Sequence, residues 1–325
     1  MRPGFHHRLI NGPFGDPCLL VRPAYQKRLI LFDAGQIGNL SARELSRVTD
    51  VFVTHTHIDH FIGFDLLLRA VLRRDSPLNI YGPQALLPCI HGKLKGYAWN
   101  LIAGYPTVIR VHCFDGKTVS LTLFSASHRF RKEPMGHETS DGILLDTGMF
   151  RVRAAKLTHS IPCLAYSLEE DLHINIDRDR LIRKGLRVGP WLNEFKRLYR
   201  RGDFSGTVDT GDGRLTLREI AEIAISSRGQ KISYATDIAM TRGNRKKLIE
   251  LIRGSDVFYG EACFLEEDRQ RARERYHMTA GECGAIAREA GVTTLEVMHF
   301  SPRYLGRAEL VVREAQSAFR DGVVS

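Results

Sequence analysis

Thr54-His55-Thr56-His57-Ile58-Asp59-His60 follows directly on the apolar run Val51-Phe52-Val53. A strand carries the run, and three imidazoles and a carboxylate stand on the loop at its end. Imidazole and carboxylate are borderline and hard donors that suit zinc, iron or manganese. Donors this dense cannot all reach one small ion without strain. They can serve two ions side by side, with His55 and His57 facing one and Asp59 and His60 the other. Two metal ions about 3.5–4 Å apart are a recurrent device for hydrolysing phosphate esters. The bland alternative is a surface loop with several histidines. Further donors downstream count against it.

Three later stretches place a donor where an apolar strand pattern stops. Lys156-Leu157-Thr158-His159 and Val297-Met298-His299 each end in a histidine, and Ile232-Ser233-Tyr234-Ala235-Thr236-Asp237 ends in an aspartate. Singly, such a histidine reads as structural and such an aspartate as a turn residue or helix cap. Together with the first motif they supply what a two-metal site still lacks.

A chain of 325 residues suffices for one large domain or two small ones, and 43% hydrophobic residues support a packed core. No apolar run approaches the ~18 residues of a membrane helix. Met1-Arg2-Pro3-Gly4-Phe5-His6-His7-Arg8 has no apolar segment, so no signal peptide is expected. Cys18, Cys89, Cys113, Cys163, Cys263 and Cys283 form no CxxC pair. They read as reduced, mostly buried thiols of a cytoplasmic protein rather than a zinc site. The formal net charge of +10 suggests a polyanionic partner, nucleic acid first, against the plainer reading of a basic enzyme. The charge is concentrated. Arg178, Arg180, Arg183, Lys184, Arg187, Lys196, Arg197, Arg200 and Arg201 crowd one segment, opposed only by Asp179 and Glu194. A second cluster, His128-Arg129-Phe130-Arg131-Lys132, interleaves an aromatic ring with cations.

The sequence has no repeat period and no low-complexity tract. Strand patterns are expected at 19–21, 29–32, 51–54, 78–81, 108–112, 119–125, 142–146 and 152–156. Helices are expected at 64–74 and after Pro83. Asp33-Ala34-Gly35 reads as a strand-end turn. Residues 179–201 read as two short basic helices broken at Gly189-Pro190. Strand and helix signals then resume at 216–225, 231–235, 244–254, 257–259, 279–290 and 295–298. This order suits an α/β (α+β) chain with two mixed sheets face to face, helices outside and a site at the strand ends along one edge. One domain over residues 1–325 is expected, with 170–206 as a projecting basic arm.

With these residues in view, the chain resembles the metallo-β-lactamase superfamily, whose HxHxDH motif is the opening stretch. Within it, the resemblance is closest to ribonuclease Z, the tRNA 3′-end endonuclease. Leu157-Thr158-His159-Ser160-Ile161-Pro162 with Ala165-Tyr166 looks like that family's third-motif segment. Residues 185–196, with Gly189-Pro190 inside, resemble the GP motif of its tRNA-binding arm. Gly260-Glu261-Ala262-Cys263-Phe264 is similar to its HEAT loop, and His277-Met278-Thr279-Ala280 to its HST loop. His299-Phe300-Ser301-Pro302-Arg303-Tyr304 looks like its closing histidine motif. The resemblance implies a four-layer αββα sandwich binding two divalent ions, Zn2+ first, with Mn2+ or Fe2+ as alternatives. It gives one ion His55, His57 and His159, the other Asp59, His60 and His299, with Asp237 bridging. It implies that Asp59 handles the proton of the attacking water and that Glu261 pairs with His277 near the leaving group. It also implies a homodimer.

The chain departs from the family at two places. Gly12-Pro13-Phe14-Gly15-Asp16-Pro17-Cys18 stands where the family carries a PxKxRN-type loop that helps read the tRNA 3′ end. Thr236-Asp237-Ile238 stands where it carries Gly-Asp-Thr.

The function expected is therefore a metal-dependent phosphodiesterase, an endoribonuclease processing tRNA 3′ ends. His277 is the expected acid, since imidazole titrates near neutrality and a carboxylate partner raises its pKa. Its plainer reading is a helix-start residue. Arg183, Lys184, Lys196, Arg197 and Arg303 are the expected substrate contacts. Trp191, Phe195 and Tyr199, every fourth residue, read as a packed helix face before a base-stacking platform. One rival is a dinuclear hydrolase of a small phosphodiester or other ester, favoured by the altered N-terminal loop and opposed by the basic arm. Another is a non-catalytic nucleic-acid-binding protein with an idle metal site, opposed by the complete donor set.

Overall fold

The computed structural model describes residues 4–24 and 26–321. Residues 1–3 of the stretch read for a leader, and residues 322–325 of the expected domain, lie outside the described residues. In the first sheet, eight strands lie side by side in chain order: β1 (Phe5–Leu9), β2 (Leu19–Pro23), β3 (Leu29–Phe32), β4 (Val48–Phe52), β5 (Leu78–Pro83), β6 (Val108–Phe114), β7 (Thr118–Ser125) and β8 (Lys132–Thr139). Strands β3 to β6 run parallel and the outer neighbours antiparallel.

The chain continues through β9 (Ile143–Asp146), β10 (Phe150–His159), β11 (Ile161–Glu170), β12 (Leu172–Ile176), β13 (Thr207–Asp209), β14 (Arg214–Thr216), β15 (Ala224–Arg228), β16 (Lys231–Ala235), β17 (Val257–Glu261) and β18 (Thr294–Met298). The second sheet has the order β18-β17-β16-β11-β10-β9.

Alternation along the strands builds the layers. Ile30 and Phe32 of β3 join Phe52, Tyr166 and Tyr234 between the sheets, whereas Leu29 and Leu31 face outward. The outward face packs on helices Phe64–Val71 and Leu86–Lys95. On the other sheet, Leu164 and Tyr166 of β11 point inward, and Cys163 and Ala165 pack outward with helices Arg242–Ile252, Ala280–Glu289 and Ala308–Arg320. The result is the αββα sandwich, held by three apolar layers. All six cysteines are free thiols, and all but the half-buried Cys89 are buried.

Strands β1, β8, β11, β12, β13 and β14 escaped the sequence reading, and β11 and β8 did so for opposite reasons. In β11, Cys163 to Leu168 are buried on both faces, so no alternation shows, and Pro162 near its start reads as a breaker. In β8 the residues are mostly exposed and polar, with Pro134, on the outer edge of the sheet. The C-terminal helix Ala308–Arg320 was also not anticipated.

The basic segment forms helices Arg178–Arg183 and Trp191–Arg201, with the break where Gly189-Pro190 predicts it. The elements that pack with it reach beyond 206. Strand β12 pairs with β15, and β13 pairs with β14. Leu181, Trp191, Phe195 and Leu198 share a separate apolar cluster with Val208, Leu217 and Ile223. The unit therefore spans residues 172–228, because the helices alone bury too little apolar surface to be held. It joins the sandwich at Glu170, the end of β11 remote from His159, which pairs with Ile161. Trp191, Phe195 and Tyr199 are the packed face that their spacing suggests.

Phe195 is fully buried in that cluster. Phe195→Ala should cost the arm about 3–5 kcal/mol of local stability. Limited proteolysis should then cut within residues 172–228 first while the sandwich stays intact. Uniform cleavage across the chain would show that the cluster is not a separate unit.

Candidate metal centre

The donors converge where strands stop. His55 follows β4, Asp237 lies just beyond β16, His159 ends β10, and His299 follows β18. Asp33, Asp237 and His299, each just beyond a strand, have φ of 57°, 56° and 59°. Non-glycine residues rarely adopt this left-handed region, and each costs on the order of 1–3 kcal/mol that the surrounding fold must supply. The backbone turns sharply at all three. His57 then opens the short helix Ile58–Phe61, which presents Asp59 and His60 one turn on. Gly35 lets this helix sit close. A Cβ there would stand 2.4 Å from the Asp59 carbonyl oxygen.

Among the described residues three groups of possible donors result, one of them Glu261, Cys263, His277 and His299; the other two contain the expected ligands. His55, His57, His159 and Asp237 offer ligand atoms within 4.8 Å of one another, and so do Asp59, His60 and His299. Asp237 stands between them. Its Oδ2 is 2.7 Å from His60 Nε2 and 3.2 Å from His55 Nε2, and its Oδ1 is 3.3 Å from His299 Nδ1. The structure brings the seven residues expected as ligands close together.

Neighbours fix which ring nitrogen points inward. His60 Nδ1–H donates to Asp33 Oδ2 at 2.9 Å, and His159 Nδ1–H to the Tyr276 carbonyl at 2.7 Å. His55 Nδ1 lies 3.1 Å from Thr54 Oγ1. Such partners leave Nε2 for a metal and fix the ring. The inward atoms His55 Nε2, His60 Nε2, Asp237 Oδ1 and His299 Nδ1 are buried and face one another and His277 without a well-directed hydrogen bond. Buried polar atoms this concentrated are costly unless something binds them. Divalent cations fit the donor set and its unsatisfied atoms.

Charge in the site points the same way. Burial, with His60 beside it, pushes the His55 imidazole down to about 2, so it stays neutral. Burial also opposes charge on His60 and His299, but carboxylates outweigh it, Asp237 foremost, and both are raised. Asp237 is held well below the carboxylate range despite its burial, by His299 and His60. Burial would raise Asp59, yet the hydrogen bond from His299 and the charge of His60 bring it to about 2. The carboxylates thus draw protons onto imidazoles, and metal ions would displace those protons.

Beside the donors, His277 Nδ1 is 2.6 Å from Glu261 Oε1 and 3.1 Å from Asp237 Oδ1. Glu261 also accepts from the backbone N–H of Ile238 and Met278. Burial lowers the His277 pKa, but Glu261 and Asp237 outweigh it and lift it to about 10. A cleft of about 480 Å3 opens over Asp59, His277 and His299. Phe14, Asp16, Arg271, Arg275 and Arg303 are among the residues that line it.

The expected substrate contacts are dispersed. Arg303 lines the cleft but donates to Asp268 at 2.5 Å. Lys184 pairs with Glu222 at 2.7 Å, and Arg197 with Glu194. Lys196 is half-buried in a cavity at the arm's root, with Glu170 and Arg200. Arg183 is exposed. The sequence reading missed Asp33 as a partner of His60, although its place directly after Leu29-Ile30-Leu31-Phe32 was a usable signal. Tyr276 gave none, because it acts through its backbone carbonyl. Arg271 and Arg275 stood out from the other arginines only in the folded chain.

No family model matches the chain. It is 29% identical over 282 residues to ribonuclease Z of Deinococcus radiodurans, covering 86% of this chain and 84% of the relative. Among solved structures, the short form of human tRNase Z has a TM-score of 0.54 at 18% identity, covering 92% of this chain and 93% of that one. A metallo-β-lactamase fold protein of Bacillus subtilis has a TM-score of 0.56 at 16% identity, covering 98% and 94%. The chain has the metallo-β-lactamase fold. Within that class it is ribonuclease Z-like over most of its length.

Asp33→Asn keeps the shape but replaces the carboxylate behind His60. Metal affinity should fall by about 10–100-fold, read by competition with a chelator. Unchanged affinity would mean that Asp33 only braces the fold. Asp237→Ala should remove the shared donor and leave well under two ions per chain by elemental analysis.

Proposed function

We propose that this chain is a metal-dependent endoribonuclease that processes tRNA 3′ ends. The observation that carries the reading is the convergence of seven donors beside the His277–Glu261 pair, in a chain similar to ribonuclease Z. His55, His57, His159 and Asp237 would hold one divalent ion, and Asp59, His60, His299 and Asp237 the other. Zinc is the ion of first choice, because imidazoles and carboxylates are donors it favours. Such ions supply Lewis-acid relief of phosphodiester charge and make water acidic enough to be deprotonated near neutrality. Self-association as a homodimer and a cytoplasmic setting belong to the same reading. Six unpaired thiols support the latter.

The chain's own residues would handle the protons. Asp59, held ionised, is placed to accept the proton of the attacking water. When the P–O3′ bond breaks, the departing oxygen needs a proton. His277 can supply it from Nε2, since Nδ1 is held by Glu261. Glu261 keeps the ring protonated and aimed. The arm would hold RNA through cations that form no ion pair with a carboxylate among the described residues. Arg178, Arg183, Arg187 and Arg201 are exposed and meet that condition, unlike Lys184 and Arg197.

The reading is tested by incubating a 3′-extended precursor tRNA, beside bis(p-nitrophenyl) phosphate, with the metal-loaded and chelated protein. Metal-dependent cleavage at the tRNA 3′ end is expected. Hydrolysis of the small diester alone would leave a small-phosphodiester hydrolase in its place.

His277→Ala should keep both ions and slow RNA cleavage by roughly 10²–10⁴-fold, the usual loss for a general acid. The loss should be much smaller with p-nitrophenolate as leaving group, which needs little protonation. Equal losses on the two substrates would make His277 structural.

Arg178, Arg183, Arg187 and Arg201 changed together to Glu should weaken RNA binding. The log–log salt slope should fall by about 0.7–0.9 for each phosphate no longer neutralised. Wild-type affinity and slope would remove the arm from the RNA interface.

A further inference from the structure

The wall of the cleft formed by helix Arg269–Glu274 and the residue capping it carries an unusual charge arrangement. Its arginines divide into two kinds. Arg269 is taken up by Glu266 and, at 3.3 Å, by Glu282. Arg303, facing the same cleft, is taken up by Asp268 and lies over the Tyr304 ring at 5.7 Å. Arg271 and Arg275 differ. Both are exposed, both line the cleft, and among the described residues no carboxylate pairs with either. Their spacing of four puts them on one face. The helix is anchored beneath them by Ala272, which is fully buried. Its last turn is tied to the site, because the Arg271 carbonyl accepts from Arg275 N–H and the Ala272 carbonyl from His277 N–H at 2.8 Å.

Phe14 and Asp16 line the same cleft. Phe14 meets Phe300 edge to face, with ring centroids 5.3 Å apart. A nucleotide entering this cleft would thus find aromatic surface and two uncommitted guanidiniums. Its phosphate belongs on the latter, since the planar fork of arginine matches phosphate oxygens two at a time. Arg275 also precedes Tyr276, whose carbonyl orients His159, and stands two residues before His277. A phosphate held there sits beside the proton donor.

We propose that Arg271 and Arg275 form a phosphate clamp that holds the RNA strand at the nucleotide next to the scissile bond. The proposal rests on the ribonuclease reading and adds to it the residues that position the substrate. They do so in a cleft to whose lining the 12–18 loop contributes no basic residue.

The test uses the metal-loaded protein and a 3′-extended precursor tRNA. Changing both arginines to alanine should raise KM roughly 10-fold or more, with kcat within a few-fold of wild type. The log–log salt slope of binding should fall by about 0.7 to 0.9, the share of one neutralised phosphate. The double Lys variant should keep the slope but recover only part of the affinity, because an ammonium lacks the fork. Arg273→Ala, on the same helix but not lining the cleft, should match wild type in KM and slope. Metal content shows that each variant is folded. If wild type cleaves the RNA and the double alanine variant keeps its KM and slope, the clamp is wrong and the ribonuclease reading stands. If wild type neither binds nor cleaves the RNA, both fall.

Discussion

The centre depends on one buried carboxylate. Asp33 is fully buried at the end of β3, where an uncompensated charge would be very costly. It is compensated from both sheets. Thr54 donates its backbone N–H at 2.7 Å and its hydroxyl, His60 donates Nδ1–H at 2.9 Å, and Tyr234 of the second sheet donates its hydroxyl at 2.9 Å. The same contacts fix the start of the HxHxDH loop, orient one of its rings and hold the two sheets together beneath it. Leu164 N–H donating to the Thr54 carbonyl at 2.9 Å adds a backbone tie across the sandwich at the same level. The position of the HxHxDH donors is therefore set by a network centred on Asp33, which lies behind them.

That network explains how strained turns persist. Three residues in left-handed geometry, Asp33, Asp237 and His299, would each relax in an isolated loop. Here each is held by what its side chain does, and the strain is localised where strands deliver donors. The inward atoms of His55, His60, Asp237 and His299, without well-directed hydrogen bonds, are the second cost. Strain and unsatisfied polarity at one point are what a site shows when its stability is completed by what it binds.

The sequence revealed the donors because metal chemistry restricts residue type and because strand ends are marked by apolar runs. All seven, and the His277–Glu261 pair, could be read from type and order once the family resemblance was seen. The roles of Asp33 and Tyr276 were less legible. An aspartate after a strand looks like any turn residue, and a backbone carbonyl leaves no trace in side-chain type. Strand β11, buried on both faces, lost the alternation that marks β3. The arm's bounds were set too short because β12 finds its partner, β15, only after some fifty intervening residues. Sequence position cannot show such a pairing.

Charge was the least legible property, because composition counts cations without their partners. The basic segment looks uniform in sequence, yet Lys184 and Arg197 are paired with carboxylates while, among the described residues, Arg183 and Arg187 are not. The same sorting applies in the cleft, where Arg303 is committed to Asp268 and, among the described residues, Arg271 and Arg275 pair with no carboxylate. A guanidinium already bonded to a carboxylate must break that bond to take a phosphate, so the uncommitted ones bind at lower cost. The arm joins the sandwich at one end of β11 and His159 lies at the other. At about 3.3 Å per residue these ends are roughly 30 Å apart. The two cationic surfaces are thus physically separate, one set to bind a large polyanion and the other to place a single phosphate beside the chemistry.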